Sequence, residues 1–243
     1  MKITQICSNS SLKKCNIIDY LNGTRIHNKI VLRAKNMDRN KWDAKLSAIA
    51  AEYKFNHGYK ILYNRWSVIG QATVAFMSLN PGREGNADLA WMISDERGSS
   101  HLVEKHTSIS PINRQVLALY EFLDIDPSTV LDGVLHPFRS DEWNNFSAAQ
   151  KNAGLEIGKK FWREAIDGKI EKLIVSGKQI KPHVLSMTGA QIDAVIPSGW
   201  GEQTLERYTT ATGMEIFIMP HLSRFKLFTR PECRGPLIAF FKI

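Results

Sequence analysis

The feature that most constrains the fold is an alternation of short apolar runs with longer amphipathic segments from residue 67 onward. Four of the apolar runs fit β-strands, and each ends in a polar or glycine-containing stretch: residues 73–79, 130–137, 172–176 and 215–219. Strands that alternate with helices pair in parallel through right-handed crossovers. The pattern therefore predicts an α/β fold with a mostly parallel, central four-stranded sheet flanked by helices.

Local signals for helix ends fit between these strands. Ser110 followed by Pro111 is typical of a helix start, and Ser147 with Gln150 forms a capping-box pattern before an amphipathic segment. A further helix is predicted over residues 179–187. In such a sheet the ligand site lies beyond the carboxyl ends of the strands, so the residues directly after each strand are the candidates for function.

Residues 1–66 differ from the rest and are interpreted as an N-terminal extension of the α/β domain, which we assign to residues 67–243. The extension has a polar start and predicts a helix over residues 39–56. Its lysines and arginines fit DNA contacts, but they fit an ordinary solvated face as well.

Composition narrows the environment and the class of partner. The formal net charge of +8 favours an anionic partner, of which nucleic acid is the commonest, although a solvated basic face gives the same sum. The three cysteines, Cys7, Cys15 and Cys233, match neither a disulfide framework nor a four-thiolate cluster. No apolar run is long enough to span a bilayer or to serve as a signal peptide. We therefore expect a cytoplasmic monomer that binds no membrane, metal or cofactor.

Polar turns follow the first and the last predicted strand directly. The first strand runs into Asn-Pro-Gly at residues 80–82, and the last runs through a proline into His-Leu-Ser at residues 221–223. Either turn alone fits an ordinary loop, because Asn, Pro and Gly all favour turns and a histidine often occupies a loop.

Taken together, the two turns resemble the two motifs of the uracil-DNA glycosylase superfamily, in its mismatch-specific and single-strand-selective branches. Those branches carry Gly-x-Asn-Pro-Gly after the first core strand and His-Pro-Ser or Asn-Pro-Ser after the last. The resemblance covers residues 68–243, with Ser78 in place of the usual glycine and Leu222 in place of the usual proline. It implies an enzyme that flips a pyrimidine out of DNA and hydrolyses the bond between base and sugar.

The resemblance also implies roles for the residues of the two turns. Asn80 would orient the attacking water through its side-chain amide, and His221 would donate a hydrogen bond to the pyrimidine oxygen that accumulates charge. Asparagine is not a strong general base, so a nearby carboxylate such as Glu84 or Asp88 could assist. Backbone amides of residues 223–225 would hold a flanking phosphate.

Three further positions would contact the base. Gly82 stands where the uracil-selective branch has a tyrosine that blocks a substituent at the pyrimidine C5, so glycine leaves that space open. Trp91 lies near the position of an aromatic that stacks on the flipped base, although a core tryptophan fits the pattern equally well. His136 ends the second strand, where the family places a residue that contacts the pyrimidine edge; an ordinary loop histidine is the alternative.

The turn after the last strand would bind DNA through Leu222, Ser223, Arg224 and Phe225. The wedge, meaning the side chain that fills the space vacated by the flipped base, would be Leu222, Arg224 or Phe225, because apolar and planar groups can replace base stacking.

These residues predict a monofunctional glycosylase that leaves an abasic site, because no lysine adjoins either motif in the sequence. The open C5 position suggests a C5-modified pyrimidine, such as the glycosylated hydroxymethylcytosine of phage DNA, and hence a role in antiviral defence. A general repair enzyme for uracil or mismatched thymine is an alternative. Others are a catalytically silent DNA-binding module with the same fold and an α/β enzyme that hydrolyses nucleotides or transfers sugars.

Overall fold

The computed structural model describes residues 37–105, 110–166 and 168–243, which form a six-stranded mixed sheet flanked by helices. The strands are β1 (Val74–Ser78), β2 (Leu131–Val134), β3 (Lys172–Ser176), β4 (Gln191–Pro197), β5 (Thr204–Thr209) and β6 (Glu215–Met219). The helices are α1 (Arg39–Tyr53), α2 (Ala87–Ala90), α3 (Ser100–Lys105), α4 (Pro111–Phe122), α5 (Ala148–Ala165), α6 (Lys181–Thr188) and α7 (Pro231–Phe241).

The strand order is β2-β1-β3-β6-β5-β4, and the first four strands of this order are parallel. These are the four strands that the sequence predicts. The expected four-stranded sheet was nevertheless wrong in its extent, because β5 and β4 add an antiparallel hairpin to the edge of β6. Strand β4 is an exposed edge strand with an irregularity between Ile192 and Ala194, so it lacks the alternating or continuous apolar pattern that identifies a strand in a sequence.

Each parallel strand is buried on both faces. In β1, Ala75 and Met77 belong to one core, together with Trp162 of α5, whereas Phe76 belongs to a second core with Phe240 of α7. Successive side chains of a strand point to opposite faces, so helices on both sides are needed to cover a sheet of this kind.

The predicted helix starts are confirmed. The Ser110 side chain accepts a hydrogen bond from the backbone N–H of Asn113 at the start of α4, and Pro111 occupies the first turn. At the start of α5, Ser147 and Gln150 make both hydrogen bonds of a capping box. These caps satisfy backbone donors that the first helical turn leaves without partners.

The described part of residues 1–66 shares the core of the α/β domain. Trp42 of α1 packs edge-on against Phe161 of α5, with ring centroids 5.2 Å apart. Helix α1 ends three residues earlier than predicted, because Lys54 adopts a left-handed conformation with φ 57°. Beyond it, the backbone N–H of Ile61 donates to the carbonyl of Ile93. Residues 1–36, including Cys7 and Cys15, lie outside the described residues, and among the described helices none is both long and apolar enough to cross a membrane.

Candidate functional site

A cleft of about 1010 Å³ lies beyond the carboxyl ends of the parallel strands. We call it the strand-end cleft. Its walls come from the segments after β1, β2, β3 and β6 and from helices α3 and α4: residues 78–80, 82–84, 139–144, 177–179, 220–221, 223–225, His101, Glu104 and Asn113 among them. The site therefore lies where ligands bind in parallel α/β sheets.

Strand register aligns three of the turns that line this cleft. Val175 of β3 pairs with Met77 on β1 and with Ile218 on β6. Three residues past this row, each strand contributes one side chain that lines the cleft: Asn80, Lys178 and His221. Neighbouring strands are about 4.8 Å apart, so the turns after β1 and β6 are separated by roughly 10 Å, with the turn after β3 between them.

The Asn80 side chain is held by two backbone carbonyls. Its Nδ2 donates to the carbonyl oxygen of Pro81 at 3.0 Å and to that of Ser140 at 3.4 Å. Within the ranges that the structure describes, no group donates to its Oδ1. The amide orientation therefore leaves Oδ1 as a hydrogen-bond acceptor, the group needed to hold a water molecule.

His221 is oriented as a hydrogen-bond donor through its outer nitrogen. The backbone N–H of Ser223 donates to Nδ1 at 3.3 Å, and the Ser223 hydroxyl lies 2.7 Å from the same nitrogen. Burial, and to a smaller extent the positive charge of Arg224, lowers the pKa of His221 below its usual value. The ring is therefore neutral, and its proton lies on Nε2.

Of the turn that follows β6, five residues line the cleft: Pro220, His221, Ser223, Arg224 and Phe225. Leu222 instead is fully buried in the second core, and its backbone N–H donates to the Ser176 hydroxyl at 3.1 Å. Of the three wedge candidates, the structure thus brings only Arg224 and Phe225 to the cleft. Phe225 packs edge-on against Trp200, with ring centroids 5.9 Å apart.

The space beside Gly82 is open. A Cβ atom built on this glycine would meet no heavy atom within 4 Å. The wall across from it is the segment 139–144, which is tied to the Asn-Pro-Gly turn because the backbone N–H of Ser140 donates to the Pro81 carbonyl at 3.2 Å. No side chain or backbone of the described residues therefore fills the space beside Gly82.

Trp91 lies outside the cleft. Its side chain is 48% exposed and packs edge-on against Tyr59, with ring centroids 5.5 Å apart. The structure does not bring this indole together with Asn80 or His221.

His136 also lies outside the cleft, although its strand register is equivalent to that of Asn80. The ring is fully buried among four aromatic side chains, Phe55, Phe138, Trp143 and Phe146. Desolvation lowers the pKa of His136 to about 4, despite its 3.2 Å contact with the Gln150 carbonyl. A Cβ on Gly154 would come within 2.0 Å of the ring, so this glycine of α5 is what gives the histidine its space.

Sequence reasoning missed Arg139, which fastens the loop between β1 and α3. Its guanidinium donates to the carbonyls of Gly82 at 3.0 Å, Leu89 at 3.2 Å and Ala90 at 3.0 Å. Burial lowers its pKa, although the nearby Tyr63, Glu84 and Glu104 oppose that shift. The only sign of Arg139 in the sequence was its position just after the second predicted strand.

A polar network on the α3 and α4 side of the cleft was missed as well. His101 Nδ1 lies 2.7 Å from Asn113 Oδ1, and His101 Nε2 lies 3.0 Å from Asp132 Oδ2, a charge contact rather than an aligned hydrogen bond. The Tyr120 hydroxyl donates to Asp132 Oδ2 at 2.6 Å. At the other end, Asn113 Nδ2 lies 3.4 Å from Glu104 Oε2. These residues come from α3, α4 and β2, so no local pattern joins them.

Lys178 enters the cleft although it adjoins neither motif in the sequence. Its ammonium lies 3.1 Å from Glu206 Oε1 and contacts the Thr204 hydroxyl. Burial opposes ionisation of Glu206, but hydrogen bonds from Lys181, Tyr208 and Lys178 outweigh it and lower its pKa to about 2. The Lys178 ammonium is thus held beside a carboxylate, and an ammonium binds anions but is not a nucleophile.

Within the described ranges, no group of three or more histidine, cysteine, aspartate or glutamate residues is arranged to hold a metal ion. Comparison with known proteins finds no family model that matches the chain and no curated protein that matches it.

Proposed function

We propose that the protein is a monofunctional DNA glycosylase that binds a flipped pyrimidine in the strand-end cleft and hydrolyses its N-glycosidic bond, leaving an abasic site. The observation that carries the proposal is an amide acceptor, Asn80, and a neutral imidazole donor, His221, on turns two strands apart in one cleft. Breaking this bond develops positive charge on the sugar and negative charge on the base. The acceptor can hold the attacking water, and the donor can stabilise the departing base.

DNA as the partner is supported by two cations that line the same cleft. Lys178 and Arg224 both line it, and the chain carries a net charge of +8. Cations fixed along a groove bind phosphates and release their counterions, which makes such binding sensitive to salt. We propose that these two side chains contact the DNA backbone on either side of the flipped nucleotide.

The proposed base is a pyrimidine with a C5 substituent, such as glycosylated hydroxymethylcytosine in phage DNA, which would make the protein an antiviral enzyme. The open space beside Gly82 supports this choice, because an unmodified base leaves that space empty. The same site would also accept uracil or mismatched thymine, as in a general repair enzyme.

A catalytically silent DNA-binding module is the second candidate function. It is favoured by the amide at Asn80, which cannot take a proton from water. The two candidates differ in whether a covalent bond in the DNA is broken.

Abasic-site formation under single-turnover conditions tests both. Duplexes would carry uracil, mismatched thymine, hydroxymethylcytosine or its glucosylated form at one position. We expect cleavage, and we expect Asn80→Ala to lower its rate by about a hundredfold or more, while DNA binding changes little. Asn40→Ala, an exposed position on α1, is the matched control.

Gly82→Tyr tests the assignment of the base. The tyrosine would fill the open space, so it should suppress cleavage of C5-substituted bases more than cleavage of uracil. Equal effects on all bases would exclude the C5 assignment. DNA binding without cleavage of any base would favour the silent module.

A further inference from the structure

The proposed reaction lacks one group, because Asn80 can hold a water molecule but cannot accept its proton. We propose that Glu104 is the general base that takes this proton, and that Asn113 and His101 position its carboxylate. This inference rests on the proposed function. The carboxylates that the sequence suggested are less suitable: Asp88 does not line the cleft, and Glu84 accepts the backbone N–H of Asn86 on its own exposed loop.

Glu104 lines the cleft on α3 and faces an amide that cannot turn. Asn113 is 1% exposed, and its Nδ2 donates to the carbonyl of His101 at 3.3 Å as well as facing Glu104 Oε2 at 3.4 Å. Its Oδ1 is engaged by His101 Nδ1 at 2.7 Å. If the amide were turned over, its oxygen would face the oxygens of His101 and Glu104, and its nitrogen would face His101 Nδ1. Asn113 therefore presents a fixed N–H donor to the Glu104 carboxylate.

The hydrogen bond with His101 agrees with that orientation. Burial alone lowers the pKa of His101, but the Asp132 carboxylate, with the hydrogen bond that His101 donates to Asn113, outweighs it and raises the pKa above its usual value. At the 2.7 Å contact between His101 Nδ1 and Asn113 Oδ1, the amide oxygen can only accept, so Nδ1 carries a proton and donates it. Asn113 Oδ1 therefore accepts from the His101 ring, and Asn113 Nδ2 is left for Glu104.

Such a network is costly in a protein core. Asp132 is fully buried, and neither its Oδ1 nor His101 Nε2 makes an aligned hydrogen bond. Apolar residues of the same volume often stabilise a protein as well as a buried ion pair of this kind does. Stability alone therefore does not explain why these residues are present. Orientation of a group at the surface of the cleft is a role that apolar residues could not fill.

Glu104 is also linked to the turn that carries Asn80. Its carboxylate is one of the charges that act on Arg139, and the Arg139 guanidinium donates to the Gly82 carbonyl at 3.0 Å. The charge of the proposed base therefore acts on the same guanidinium that holds the turn next to Asn80.

The step balances as follows. The water held by Asn80 loses a proton to the Glu104 carboxylate while its oxygen bonds to C1′ of the sugar. The bond between C1′ and the pyrimidine nitrogen breaks, and its electron pair leaves with the base, whose oxygen accepts a hydrogen bond from His221. The proton on Glu104 then passes to the pyrimidine anion, so both products are neutral at the reacting atoms.

The test is the pH dependence of the single-turnover rate for wild type and Glu104→Gln on a duplex that the wild type cleaves. The wild-type rate should fall on the acid side as the base is protonated. Glu104→Gln should lower the rate at neutral pH by about a hundredfold and abolish the acid-side fall, with DNA affinity retained. Glu121→Gln, an exposed carboxylate on α4 away from the cleft, is the matched control.

Two further variants separate chemistry from folding. Formate should restore part of the rate of Glu104→Ala, because a small carboxylate can enter the space, and a misfolded protein would not respond. Asn113→Ala should lower the rate without changing DNA affinity and should displace the acid-side fall.

The inference is overturned if Glu104→Gln keeps both the rate and the acid-side fall, or if Glu84→Gln removes that fall instead. Failure of the proposed function would look different, since wild-type protein would then release no base from any duplex of the panel.

Discussion

The turns after β2 and β6 each carry a histidine at the same strand register, but the two histidines lie in opposite environments. His136 and His221 each lie three residues past a row of paired residues, Gly133 on β2 and Ile218 on β6. His136 is enclosed by aromatic rings under α5, whereas His221 lines the strand-end cleft beside the Asn80 turn. Strand register thus brings a residue to the edge of the sheet, while the helix that packs beyond it determines whether the side chain lies in the cleft or in the core.

The largest effect expected from this comparison is on catalysis by His221, the member of the pair that lines the cleft. His221→Ala removes the donor to the departing base, so the single-turnover rate should fall by roughly a hundred- to a thousandfold. The melting temperature should change little, because His221 lines the cleft rather than the core. His57→Ala, an exposed histidine outside the cleft, should leave the rate unchanged.

The buried member should behave in the opposite way. His136→Ala leaves a cavity among four aromatic rings, so the free energy of unfolding should drop by about 3 kcal/mol, while the folded variant cleaves at the wild-type rate. Urea unfolding beside a single-turnover assay measures both quantities. Loss of rate with unchanged stability would reverse the assignment of the two histidines.

The pH dependence of stability sharpens the same contrast. The pKa of His136 is about 4 in the folded protein and near 6.5 when the chain is unfolded, so the unfolded state binds more protons between these values. Stability is then full at neutral pH and is lost as the pH falls. Between pH 7 and pH 5, the free energy of unfolding of wild type should fall by about 2 kcal/mol more than that of His136→Gln. Denaturant unfolding of both proteins at several pH values in this range measures the difference. An equal pH dependence of the two would mean that His136 is not desolvated.

The smallest effect concerns the DNA contact beside His221. Arg224→Ala should reduce the slope of log affinity against log salt by about one contact, roughly 0.7 to 0.9. A binding titration at several salt concentrations measures this slope, and Arg114→Ala on the exposed surface of α4 is the control. A wild-type affinity that does not vary with salt would mean that Arg224 and the other cations of the cleft do not contact phosphates.

Local sequence signals determined the framework of this protein. Four parallel strands follow from short apolar runs that end in polar or glycine-containing stretches, because a strand buried on both faces is apolar along its whole length. The starts of α4 and α5 follow from Ser110 and Ser147, whose side chains bond to backbone only three residues away. The turns that carry Asn80 and His221 were therefore predicted at the correct end of the sheet.

Only the tertiary structure decided which side chains at that end meet in one cleft. It buried His136 and Leu222, and it brought Lys178 beside the last strand although neither motif adjoins it in the sequence. It also joined Glu104 and Asn113 to Asp132 of β2 through His101. Contacts of this kind depend on how helices pack across the sheet, and packing involves residues far apart in the chain, whereas the periodicities and caps of a sequence record only the environment of near neighbours.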